Sequence, residues 1–177
     1  MKIIPILKKA VVLLVSVFIL NILQTAVFQY LALGGVIPNL LLILTSFYGF
    51  MRNRREGMIA GFICGLVIDF SSGMLFGTHI IILLTIVYLN GLSRKVFFGD
   101  DVKLPILFVG LSNLIYGLFI YLVSFAFRQS GDFNFYLMNI IIPEAVYSVM
   151  ISFILYFIYA RIFIWIDREE RKVEHIL

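Results

Sequence analysis

Cysteine, histidine, proline and charge are all scarce in this chain. Cys64 is the only cysteine among 177 residues, which excludes a disulfide within the chain and a cysteine-rich metal site. The two histidines, His79 and His175, lie far apart, and neither has a serine or cysteine beside it in a recognisable motif. A nucleophile needs a base within hydrogen-bond reach, so the sequence points to no catalytic group. It also lacks a phosphate-cradling glycine loop and an HExxH pair, and neither metal nor cofactor is expected. Charged residues make up 14% of the chain, against about 25% in ordinary soluble domains.

Apolar residues fill the space so left. They make up 62% of the chain, more than the roughly 45–50% of a soluble domain. A soluble fold of this size has too little interior for them, and the lipid bilayer is the natural solvent. Apolar segments run at about 10–33, 38–51, 57–70, 78–92, 104–127 and 139–165, followed by a charged tail at 166–177. The first follows Lys8 and Lys9. It is longer than the roughly 7–15 residues of a secretory signal core, so it is expected to be a retained helix. A β-barrel is excluded, because barrel strands alternate apolar and polar residues and these segments are apolar all round.

The basic residues orient the segments. Thirteen of the fourteen Lys and Arg fall on one side of this map, from Lys2, Lys8 and Lys9 to Arg171 and Lys172, and Arg128 falls on the other. Such a bias marks the cytoplasmic side. The expected fold class is therefore an all-α integral membrane protein of six transmembrane helices in one domain, with both termini cytoplasmic. The net charge of +4 then serves orientation and anionic headgroups, and nucleic-acid binding is not expected. The second to fourth segments are short, which predicts a compact central group with room for a foreign helix against it.

The stretch "REGMIAGFICGLVIDFSSGMLFG" places Gly57, Gly61, Gly65, Asp69, Gly73 and Gly77 four residues apart. Spacing of four keeps one helix face, and small residues on that face let two backbones approach in lipid. Gly57, Gly61 and Gly65 thus predict a tight contact, either within the chain or with a partner's helix. Asn21 and Gln24 mark the buried side of the first helix, where amides seek a partner. Asp69, His79 and Glu144 are candidate polar groups at the outer face. Two readings stay open for Asp69: hydrogen bonds from the turn Ser71–Gly73, or a pairing or proton site. Pro143-Glu144 reads as the first turn of the last span, where proline is tolerated and a carboxylate meets the helix dipole; the stretch before it, "FNFYLMNIII", either lies at the interface or extends the helix through a proline kink.

These features resemble the MreD family of rod-shape-determining membrane proteins. The resemblance rests on "GGVIPNLLLIL", on the glycine-rich stretch ending in Asp69, and on "YLNGLSRKVF". Pro38, Gly73 and Gly77 match its turn positions, while Asn39 stands where an acidic residue is common. The resemblance implies a fold similar to the substrate-binding subunits of energy-coupling-factor vitamin transporters. It also implies a non-enzymatic subunit of the cell-elongation machinery in the bacterial cytoplasmic membrane. Its partner would be an MreC-like bitopic protein, and through it a RodA-type glycosyltransferase, its transpeptidase and MreB filaments. A homo-oligomer is compatible with the small-residue faces. The alternative is a vitamin-binding transporter subunit.

Overall fold

The structure is a computed structural model that describes residues 3–32, 34–73, 75–96, 103–128 and 132–174. His175 lies outside the described residues. Among the described residues the regular elements are helices: α1 (Ile3–Ile22), α2 (Leu40–Met51), α3 (Arg54–Ser72), α4 (Thr78–Val96), α5 (Lys103–Arg128), α6 (Phe133–Tyr136) and α7 (Ile142–Glu174). Helices long and apolar enough to cross a membrane cover Ile6–Val27, Lys103–Ala126 and Phe133–Arg168. Leu40–Met51 and Thr78–Ser93 are apolar but shorter.

The helix ends follow local chemistry. Asn39 caps α2 by accepting from Leu42 N–H at 3.1 Å, which meets one of the donors that a helix start leaves unpaired. Gly73 ends α3 in the left-handed region at φ 62°, a conformation open to glycine and strained for other residues. Gly77, at φ 98°, turns the chain into α4.

Two helices widen into π-turns, at Leu23–Val27 and at Leu137–Ile141. The second lies just before Pro143. Proline has no N–H to offer the carbonyl four residues back, and its ring crowds that carbonyl. The wider turn accommodates the mismatch and joins α6 to α7 in one helical run. Pro143 and Glu144 therefore sit inside a continuous helix and not at its free start, a correction to the cap expected from sequence.

The short α2 is the centre of the bundle. Residues 40–50 are all buried, and α1, α3, α4, α5 and α7 pack around them. Twelve residues of helix measure about 18 Å, well under a hydrocarbon core of about 30 Å. A helix that short is tolerated where protein covers it. The room for a foreign helix expected against the short central spans is absent at α2. By contrast, α3 and α4 are longer than their apolar segments suggested, at 19 residues each.

Candidate functional site

Polar groups gather at the two ends of the bundle, with the glycine stripe between them. The stripe faces α4. A Cβ added to Gly65 would lie 2.6 Å from Ile80 Cα and 2.8 Å from Ile80 N. At Gly61 it would meet Val87 Cγ2 at 3.1 Å, and at Gly57 the other Val87 methyl at 2.9 Å. Gly49 on α2 joins the same junction, where its Cβ would lie 3.2 Å from both Val87 Cα and Val87 O. The two readings of the stripe divide here: the glycines are occupied by the chain's own fourth helix.

At the end of the stripe, Asp69 closes the turn between α3 and α4. Its Oδ2 accepts from Gly77 N–H at 2.9 Å and from Ile80 N–H at 3.3 Å. Its Oδ1 accepts from His79 N–H at 3.0 Å and lies 2.8 Å from His79 Nδ1. A carboxylate only accepts, so Nδ1 carries the proton. The donors are not those of Ser71–Gly73, as the sequence suggested. They belong to the start of α4, whose dipole favours a negative charge. Asp69 thus caps the following helix from the preceding one, and both it and His79 are buried.

Glu144 does not join this pair. It is half-buried on α7, in the neighbourhood of Tyr116 and Tyr136. Tyr116 in turn lies 6.0 Å, ring to ring, from His79. Gln24 sits on the first π-turn, where its Oε1 accepts from Leu40 N–H at 2.9 Å and supplements the Asn39 cap of α2. Asn39 N–H donates to Ser148 Oγ at 3.2 Å, which ties buried Pro38 and the α2 start to α7. Asn21 is half-buried, and its carbonyl accepts from Thr25 Oγ1 at 2.8 Å.

The opposite end holds an ion cluster that sequence reasoning missed. Arg52, buried at the α2–α3 junction, donates from Nε to Glu56 Oε2 at 2.7 Å and from Nη1 to Asp167 Oδ1 on α7. Lys9 on α1 donates to Glu56 Oε1 at 2.6 Å. Burial raises the Glu56 carboxyl, but the hydrogen bonds from Arg52 and Lys9 more than offset it and hold it below the ordinary range. Arg52 also lies 5.6 Å from the centre of the Phe163 ring. The cluster joins α1, α3 and α7. Its only local signal was the i,i+4 spacing of Arg52 and Glu56; Asp167 is 115 residues from Arg52. A second missed pair, Asn90 Nδ2 donating to Ser112 Oγ at 3.1 Å, links α4 to α5.

Among the described residues, no group of three or more His, Cys, Asp or Glu side chains could hold a metal ion. Compared with known families, the chain matches the one described as rod shape-determining protein MreD, over residues 7–164. The chain belongs to the MreD family. No curated protein and no solved structure matches it. MreD-family membership makes this a bacterial membrane protein concerned with rod shape, in keeping with its long apolar helices. The MreD-family match covers the glycine stripe, both helix caps and all of the ion cluster except Asp167.

Proposed function

We propose that this MreD-family chain is a non-catalytic scaffold of the bacterial cell-elongation complex. It spans the cytoplasmic membrane six times, with both termini inside. It holds the membrane helix of an MreC-like bitopic protein, and through it supports a RodA-type glycosyltransferase, its transpeptidase and MreB. The observation that carries the scaffold reading is the use of the polar groups. Asp69 and His79 join α3 to α4, Gln24 joins the first π-turn to α2, and Arg52 joins the α2–α3 junction to α7. A vitamin-binding subunit needs several convergent polar groups left free to face a ligand, and here Asp69, His79, Gln24 and Arg52 are engaged in joints between helices. An energy-coupling-factor-like subunit remains the alternative reading.

Capture and heat stability separate the two. Purification from native membranes in mild detergent is expected to retain an MreC-like bitopic protein, identified by mass spectrometry. A vitamin panel is expected to leave the unfolding temperature of the purified chain unchanged. Ligand at 100 times its dissociation constant stabilises a fold by about 2.7 kcal/mol, so tight binding could not escape notice. A clear shift with one vitamin, and no captured partner, would overturn the scaffold in favour of the transporter subunit.

Orientation is tested separately. In a Cys64→Ser background, an impermeant thiol reagent applied to intact cells is expected to label Asp132→Cys and Ser72→Cys but not Asn53→Cys. Labelling of Asn53→Cys from outside would sink the proposed topology.

A further inference from the structure

A groove of about 830 Å³ opens sideways between α5 and α7. Ligand sites commonly measure about 300–1,000 Å³. Leu107 and Leu111 form one wall, Val146 and Met150 the other, and all four are exposed. The lining is apolar except at one end, where Lys103 begins α5. That end lies towards the ion cluster, because α5 and α7 run antiparallel: Gly110 packs against Val149 and Gly117 against Ile141.

The groove is closed at its other end. A Cβ on Gly117 would lie 2.9 Å from Ile141, and the Tyr121 ring packs 5.2 Å from those of Phe133 and Tyr136. From Lys103 to Leu114, the last α5 residue to line it, the helix rises about 16 Å. That is roughly half of a 30 Å hydrocarbon core, the depth of one leaflet. A membrane-crossing helix needs the whole depth, and a polar small molecule needs more than one polar partner.

We propose that this groove binds one anionic phospholipid, with an acyl chain between Leu111 and Val146 and its phosphate beside Lys103. The cation completes the match, since a lysine at an anionic membrane surface is worth about 1 kcal/mol. Assignment to the cytoplasmic leaflet rests on the orientation proposed above. The labelling experiment tests that orientation, and the experiment here tests the groove whichever way the chain faces.

The full chain is reconstituted in nanodiscs of equal phosphatidylglycerol and phosphatidylcholine, released into mild detergent, and weighed intact by native mass spectrometry. One phosphatidylglycerol is expected to stay bound. Lys103→Ala lowers the ratio of retained phosphatidylglycerol to phosphatidylcholine about five-fold, the ratio equivalent to about 1 kcal/mol, and Lys103→Arg restores it. Val146→Trp and Leu111→Trp, on opposite walls and both at exposed positions, abolish retention of either lipid. Phe62→Trp, on the exposed face of α3, retains it. Equal loss with Phe62→Trp, or retention unchanged by both groove-filling variants, would mean an ordinary lipid annulus and overturn the proposal. So would a photo-crosslinking residue at position 111 that forms adducts with a protein in native membranes and none with lipid.

Discussion

Gly65→Leu is expected to leave almost no folded protein. The added Cβ alone lies 2.6 Å from Ile80 Cα, a backbone atom that cannot swing aside. Accommodating it requires α3 and α4 to separate along their whole contact, which undoes the tightest helix pair in the bundle. Over-packing a well-filled site commonly costs 1–3 kcal/mol, and this substitution is expected to reach about 3 kcal/mol or more. Gly65→Ala already meets the clash and is expected to lower the unfolding temperature sharply. Gly61→Ala meets a Val87 methyl at 3.1 Å, which can yield by a few tenths of an ångström, so its loss is smaller. Met58→Leu, on the same helix at a half-buried position, is expected to be tolerated. Membrane abundance, monodisperse elution in detergent and thermal unfolding give the ranking. If Gly65→Leu folded as well as Met58→Leu, the packing described here would be wrong.

Asp69→Ala is expected to rank next. It removes the acceptor of three backbone N–H groups, those of Gly77, His79 and Ile80, and the partner of His79 Nδ1. A lost helix cap costs about 1 kcal/mol, and each buried donor left unpaired about 1–3 kcal/mol. Some donors regain water at the turn, so a total of about 3 kcal/mol is expected. Asp69→Asn keeps the shape and one good acceptor, but sets an amide NH₂ against backbone donors, and should fall in between. The ranking also separates a clasp from a proton site. For a clasp, loss of rod-shape support follows loss of folded protein, and Asp69→Asn keeps activity in proportion to its abundance. Fully folded Asp69→Asn with no activity in cells would point to proton chemistry instead.

The sequence by itself determined the solvent, the helical class and the existence of a close helix contact. Composition demands lipid because so large an apolar fraction exceeds what a small soluble fold can bury. Glycines at spacing four force a smooth stripe whichever helix lies opposite. The turn at Gly73 and Gly77 was legible through the resemblance to the MreD family, and the structure gives its physical reason in the positive φ of both glycines. Only the tertiary structure decided who meets whom. It set α4 against the stripe, and it moved the partners of Asp69 from the adjoining turn to the start of the next helix. Arg52, counted singly, was a topology signal; folded, it is a buried cation held between Glu56 and Asp167. Gln24, an interruption in an apolar run, became a cap for a helix 16 residues on. The reason is physical. Helix formation and membrane preference follow from local composition and periodicity, whereas a buried polar group takes its partner from whichever chain segment packing brings within about 3 Å, at any sequence separation.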